Sequence, residues 1–421
     1  DPARLAASFA GVASGMSNNG IVIRGNAPKG LLWRLEDIEI DNPNHFANIQ
    51  AFGGGGMTAL SSHMLANSDF FTGAFPAEYG NALSGVFDLK MRTGNNQKHE
   101  HAIQVGSLGI DIASEGPIVK GKKASYLFNY RYSTLALLTP ILPPEAGRIS
   151  YQDFSFKLNF PCQKNGTIAF WGLGSTDKQI HDANTDSTKW KSNADLLDYK
   201  TQASMGASGI TYKKRIGNKT NISAIAAVSG SSMLWNEKKL DSLLVLRSTS
   251  DVTNNNWRLI GTLTANRKIN EKLSVKAGFI FTRLFYKEII EKLPKDGDVL
   301  QNYVDKSGSA DKIQAFSQAK YSCTDALSFN VGIHTQYYKL IDHLSVEPRF
   351  GFRWNFMPYN TLSIAYGLHS QSEPLCYYMT EISSGTKIVR PNIGLDFTKA
   401  HHFVIGYERQ LGEHTRLKLE P

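Results

Sequence analysis

Beyond about residue 97 the chain alternates between apolar and polar side chains with a period of two, as strands do when their two faces meet different surroundings. Leu327, Phe329, Val331 and Ile333 share one face, and Ser328, Asn330, Gly332 and His334 share the other. Phe154, Phe156, Leu158 and Phe160 stand against Ser155, Lys157 and Asn159, and Leu362, Ile364, Tyr366 and Leu368 against Ser363, Ala365, Gly367 and His369. The split is sharpest where Leu344, Val346, Pro348, Phe350, Phe352 and Trp354 oppose Ser345, Glu347, Arg349, Gly351, Arg353 and Asn355. Few soluble sandwiches place so many charges on an inner face. Ile103 and Val105 occupy odd positions whereas Leu108, Ile110 and Ile112 occupy even ones, a phase change that a tight hairpin at 106–109 explains.

Segments of about ten residues are separated by connections of two kinds. Short Gly/Asn/Lys-rich turns fall near 119–123, 161–166, 216–220, 269–272, 323–325, 357–360 and 412–415, and most of the links between them are long, notably 135–150, 178–198, 289–310 and 371–396. The spacing predicts roughly fifteen strands, the last incomplete. Short turns on one rim and long loops on the other, with apolar residues outward and polar residues inward, are expected of a transmembrane antiparallel β-barrel, in which about ten tilted residues cross the bilayer and closure satisfies every backbone group. Tyr126, Phe160, Tyr321, Trp354 and Phe356, near the short turns, would form an interfacial girdle. The alternative is a soluble β-sandwich or propeller, which needs no alternation of short and long connections.

Residues 1 to about 96 differ in texture. A small-residue opening leads into a Gly/Asn/Pro-punctuated middle with short apolar runs, Ile21-Val22-Ile23 and Val86-Phe87-Asp88-Leu89 among them, and predicts a small α+β domain.

Composition narrows the picture. Hydrophobic residues make up 41% of 421 and mean hydropathy is −0.28, with no apolar run approaching the length of a transmembrane helix. Tyr (17), Phe (22) and Gly (36) favour strands and tight turns. A net charge of +9 suits phosphates of lipid or ligand but does not choose between them. Cys162, Cys323 and Cys376 lie far apart, without the paired spacing of zinc or redox sites. Asp1 is not followed by a charged and then apolar targeting segment, so any such signal is expected to have been removed or to lie outside this stretch.

The first domain carries Ile21-Val22-Ile23-Arg24-Gly25-Asn26, then Leu35-Glu36-Asp37-Ile38-Glu39-Ile40-Asp41, and later Phe75-Pro76-Ala77-Glu78-Tyr79-Gly80-Asn81 running into Ser84-Gly85-Val86-Phe87-Asp88-Leu89. In order and spacing this resembles the plug domain of TonB-dependent outer-membrane receptors. It departs from the commoner pattern at Phe75-Pro76-Ala77-Glu78 and at Ile38-Glu39-Ile40-Asp41, the latter arguing against the glycan-importing subclass. The energy-coupling box and the terminal aromatic residue of the family are not seen, so the chain is expected to be truncated at both ends.

The resemblance implies a mainly β fold: the C-terminal part of an α+β plug domain over 1–96, inside the lumen of a transmembrane antiparallel β-barrel whose first strands, about 15 of an expected 22, occupy 97–421. It also implies active import of a scarce nutrient (iron chelate, haem, cobalamin, oligosaccharide or peptide) across the outer membrane of a Gram-negative bacterium. The partners would be a TonB-type energy-coupling protein, outer-membrane lipid, the imported ligand and, in some members, a surface lipoprotein. No nucleic acid and no cofactor is expected. The rivals are a passive porin or adhesin-type barrel without energy coupling, and a soluble carbohydrate-binding β-protein.

No enzyme chemistry stands out. The run Gly53-Gly54-Gly55-Gly56 lacks the Lys-Ser/Thr of a phosphate loop and reads as a flexible plug loop. His99-Glu100-His101 and His401-His402 lack zinc spacing, and no nucleophile elbow is present. Lumen charges at Lys157, Lys276, Glu347, Arg349, Arg353 and Glu408 would need partners, for which Glu36, Asp37, Glu78 and Asp88 of the plug are candidates. Ligand contacts are expected from two turns placed at the apex by the resemblance, Asn26 and Lys29 in one and Asn44, His45 and Phe46 in the other, and from Trp190 and Trp235 in or beside long loops.

Overall fold

Period-two alternation becomes a single antiparallel sheet of fifteen strands in the computed structural model, which describes residues 2–420 apart from 15–18, 50–52, 107–108, 136–146, 163–164, 296 and 385–386. Numbering all strands in chain order, six belong to the N-terminal unit: β1 (Val12–Ser14), β2 (Ile21–Ile23), β3 (Leu31–Leu35), β4 (Ile38–Ile40), β5 (Asp69–Phe71) and β6 (Gly85–Leu89). The large sheet begins with β7 (Glu100–Gly106), β8 (Gly109–Pro117), β9 (Ser125–Tyr132), β10 (Arg148–Cys162) and β11 (Gly166–His181). It continues through β12 (Leu197–Ile216), β13 (Thr220–Leu240), β14 (Leu246–Lys268), β15 (Leu273–Lys292), β16 (Gln301–Ser322), β17 (Leu327–Tyr338), β18 (His343–Met357) and β19 (Asn360–Gln371). After a small hairpin, β20 (Ile382–Ser384) with β21 (Lys387–Val389), it resumes with β22 (Thr398–Gln410) and β23 (Arg416–Leu419). Each strand of the large sheet pairs with its neighbour in sequence, with β22 beside β19 and with β7 and β23 at the two ends. No described helix is long and apolar enough to cross a membrane.

The strand count agrees with the spacing, but the lengths do not. Strands β12 to β16 run for 20 to 23 residues, twice the expected length. The stretch 289–310 is therefore largely strand, its connection shrinking to 293–300, whereas 178–198 gives up only its ends and remains a connection over 182–196. The alternation fades there because both faces are polar, while backbone pairing continues. The paired 106 and 109 positions join β7 to β8, as the phase change requires.

Face assignment follows the sequence. On β18, Leu344, Val346 and Phe350 are exposed at 62%, 48% and 41%, while the intervening Ser345, Glu347 and Arg349 are buried. The burial has one cause: the inner face is covered by the N-terminal unit. That unit is a four-stranded sheet in the order β4-β3-β6-β5, with β3 parallel to β6, beside the β1–β2 pair. All five residues of β3 and of β6 are buried because both faces of this small sheet are covered. Trp33, Phe87 and Phe70 stack at 4.3 and 4.4 Å. The same apolar core runs on into Leu127, Trp171, Leu173, Met205 and Ile260 of the large sheet.

Side chains of β8 to β19 and of β22 reach the unit from all sides, from Asp111 with Ser61 on β8 to His402 with the Ala74 amide on β22. The glycine run is not a free loop. Gly53 has φ +83° and a Cβ there would lie 2.3 Å from the Pro28 carbonyl carbon, so only glycine fits. Further along the run, Gly55 accepts from the Asn19 amide and Gly56 donates to the His45 carbonyl.

Candidate functional site

The two-residue turn between β3 and β4 places both of its carboxylates against the wall. Glu36 (φ 50°) and Asp37 (φ 73°) adopt left-handed conformations, as a tight hairpin turn demands. Glu36 Oε2 lies 2.9 Å from Lys157 Nζ on β10, and its Oε1 accepts from the Met91 amide. Asp37 bridges Lys90 at 2.5 Å and Lys213 of β12 at 3.1 Å. Burial alone would raise the Asp37 carboxyl, but Lys90, Lys213 and Arg34 together hold it well below the usual carboxylate range. Glu78 takes Lys276 of β15 at 2.5 Å, and Arg258 of β14 clamps both Glu39 and Asp41.

Other charged residues named from sequence have different partners. Asp88 is held within the N-terminal unit by Tyr79 and Lys90. Glu347 pairs with Arg349 at 2.7 Å and aims it, and Arg349 donates to the carbonyls of Phe75 and Pro76. Arg353 is exposed near the short-turn rim, with no hydrogen bond or ion pair to a described residue of the N-terminal unit, so it is not among the contacts. It lies beyond the stretch of β18 that Arg349 closes.

His45 is a fully enclosed anchor. Its ring is fully buried, with Nε2 3.0 Å from Asp153 on β10, Nδ1 3.5 Å from Asp177 on β11, and the Tyr151 ring at 4.5 Å. Burial opposes protonation, yet the hydrogen bonds and charges of the two aspartates outweigh it and raise His45 above its ordinary value. Arg131 holds Asp153 at 2.6 Å, and the Phe46 amide donates to Asp177 Oδ2 at 3.0 Å. Phe46 itself has φ 58°, so the turn is strained into this geometry.

Beside this anchor lies a cavity of about 870 Å³ between the turn at 41–49 and the wall. Asp41, Asn42, Asn44 and Asn48 close it on one side, and Pro374, Leu375 and Cys376 reach in from the connection after β19, which holds the short helix α2 (Leu375–Met379). Here α1 is the opening helix Pro2–Ala6. Burial pushes the Cys376 thiol up to about 12, so it is a packing group rather than a nucleophile.

Strand register orders the wall. Asp177, Ala203, Met233, Asn254 and Glu288 form one row across five strands. Two residues outward come Trp235, Val252 and Ile290, and two further Glu237, Ser250 and Lys292. Trp235 stacks on Tyr199 at 5.3 Å, and Tyr199 on His181 at 5.1 Å. The cavity therefore offers acceptor oxygens in its inner part, a rigid aromatic face above them, and the ammonium groups of Lys239, Lys292 and Lys295 at the rim. No group of His, Cys, Asp and Glu able to hold a metal occurs among the described residues.

Of the residues expected to touch ligand, Asn44 and Trp235 line the cavity. His45 and Phe46 sit behind it as the anchor. Lys29 pairs with Glu373 at 2.5 Å, Asn26 is exposed and bonded to the Ile23 carbonyl, and Trp190 donates to the Asn184 carbonyl within its own loop. Sequence reasoning missed Asp177, Met233, Asn254, Asn256 and Glu288. The alternate positions Ser231, Met233, Trp235, Glu237 and Lys239 carried the signal, had the polar ends of the strands been read as strand.

No family model matches the chain, and no curated protein matches it by sequence. Solved structures do match. A mutant form of the ferric enterobactin receptor PfeA from Pseudomonas aeruginosa superimposes with TM-score 0.68 at 12% identity, covering 100% of this chain and 68% of that one. The siderophore receptor PirA from Acinetobacter baumannii gives 0.71 at 13% over 100% and 67%. The outer membrane transporter YddB from Escherichia coli gives 0.68 at 11% over 95% and 62%. The fold of this chain is that of TonB-dependent outer-membrane receptors.

Proposed function

We propose that the chain is the plug and adjoining barrel wall of an active outer-membrane importer, with residues 1–96 as plug and 97–421 as barrel, that binds a scarce nutrient in the cavity and releases it inward when a TonB-type partner pulls on the plug. One observation carries the reading: the cavity is lined jointly by the plug turn and the wall, and Asp177 belongs to both cavity and anchor. A ligand seated there contacts the two bodies whose relative position import must change, so occupancy can bias the anchor. Structural neighbours include receptors in complex with enterobactin, which supports a nutrient ligand of some kind. Outward apolar and inward polar strand faces support the outer membrane as the site of action.

The test is uptake of candidate nutrients by a deletion strain complemented with the native full-length gene. Asn44→Leu combined with Trp235→Ala should abolish uptake without lowering the amount of protein in the membrane. Removing the energy-coupling partner should do the same to the unmutated protein. Uptake that persists without that partner would favour a passive barrel.

A further inference from the structure

Resting on the reading of this cavity as the ligand site, we propose that its ligand is dipolar, with a protonated nitrogen at the inner end and an anionic group at the outer end. Glu288 is only 1% exposed. Its Oε1 accepts from Asn256, while Oε2 is buried with no hydrogen-bond partner among the described residues. Asp177 is 5% exposed; its Oδ2 serves Phe46 and His45, and its Oδ1 has no hydrogen-bond partner among the described residues. Asn256 Oδ1 and Asp41 Oδ2 complete four buried acceptor atoms without donors, all on residues that line the cavity.

Buried carboxylate oxygens without donors are costly unless something supplies them, and a cationic donor supplies most. The protein's own cations do not. Arg258 is engaged by Glu39 and Asp41, and Lys306, the register partner of Glu288 on β16, is engaged by Glu381 at 2.9 Å. Lys292 stands four residues outward from Glu288 on β15, about 14 Å along the strand, and Lys239 is six outward from Met233 on β13. The lysines lie at the rim with Glu237, where they would meet an anionic group, and the Trp235 face lies between the two ends, with Met233 in the inner row and Met205 two residues deeper. Flexible thioethers beside a fixed indole suit apolar groups of varied shape. A wholly anionic chelate would instead bring charge against Glu288 and Asp177, with no lysine or arginine among the lining residues at that depth to receive it.

The experiment uses the full chain purified in detergent and four probes: tri-leucine with free termini, its N-acetyl form, its C-terminal amide, and ferric enterobactin. Binding is read by calorimetry and by Trp fluorescence. Tri-leucine should bind at least tenfold more tightly than its N-acetyl form, with the amide between them. Glu288→Gln should bring the free and N-acetyl peptides within twofold of each other, and Asn256→Asp, which adds an inner carboxylate, should widen the gap. Equal binding of free and N-acetyl peptides to the unmutated protein, tighter binding of ferric enterobactin than of any peptide, or no peptide binding at all would overturn the dipolar assignment. Uptake that still depends on the coupling partner in that case would leave the importer reading intact, so the two failures are distinguishable.

Discussion

Replacing His45 by alanine should loosen the plug locally, and the structure sets the size of the effect. The substitution removes a fully buried ring whose nitrogens lie 3.0 and 3.5 Å from Asp153 and Asp177. Breaking a buried ionic pair by deleting one partner costs about 3 to 5 kcal/mol. Here Asp153 keeps Arg131 and Asp177 keeps the Phe46 amide, so the two carboxylates are not stranded, and a loss of about 2 to 4 kcal/mol is expected from hydrogen bonds to charged groups. At tenfold per 1.4 kcal/mol, opening of this segment rises about 30- to 700-fold.

Amide hydrogen exchange of the 41–49 turn, measured by mass spectrometry on protein in detergent, reads this directly. The pH dependence has a definite sign. Because the pKa of His45 is raised in the folded protein, its charged contribution is complete below the unfolded value of about 6.5 and is lost as pH rises through the folded value. After correction for intrinsic exchange, protection of the turn should therefore fall on the alkaline side in the native protein and stay flat in the His45→Ala variant. Exchange of the variant within threefold of native at pH 6 would refute the anchor.

Other outcomes follow from the same contacts. Val331→Arg places a charge on an outer face where the residue is 56% exposed; if that face meets lipid midplane it costs about 2 to 4 kcal/mol, and protease-resistant protein in the membrane should fall sharply. Cysteines replacing Glu78 and Lys276, now an ion pair at 2.5 Å, should crosslink in intact cells, and failure of that pair alongside working wall-to-wall controls would place the plug elsewhere. Glu36→Ala leaves Lys157 with the Met91 carbonyl alone among the described residues and removes the acceptor of the Met91 amide; the urea midpoint for unfolding of the N-terminal unit should drop while that of the large sheet holds.

Much of the fold was legible because one rule, outward apolar and inward polar, governs both sequence and structure. Val331 and Ile333 against His334, or Val346 and Phe350 against Glu347 and Arg349, could be assigned to faces from period alone. The rule fails where neither face meets an apolar surrounding, which is why 289–292 and 301–310 read as loop and prove to be strand. Part of the cavity was hidden for the same reason, since Ile290 and Lys292 of its wall lie in such a stretch. His45 was misplaced for a different one. A histidine in an Asn/Pro turn looks solvated, and its burial depends on Asp153, 108 residues away in the chain, and on Asp177, pairings that only the packing of the N-terminal unit on the wall creates. Arg353 shows the limit of period itself: it shares the inner face with Arg349, but four residues farther toward the short-turn rim the plug no longer covers the wall.

The length of the central strands has a consequence for how a ligand would be held. The 23 residues of β14 extend about 75 Å, or about 55 Å of height at a tilt of about 45°, against a hydrocarbon core of about 30 Å. The excess rises on the side of the long connections and forms a collar of paired backbone, from which Trp235 and Glu288 project at fixed register. Loops that organise around a ligand lose conformational entropy on binding, of the order of 1 to 2 kcal/mol for each backbone residue fixed. A hydrogen-bonded collar has already lost it during folding. Capture at this site would draw little on loop ordering, so a dilute nutrient could be held by a few placed groups.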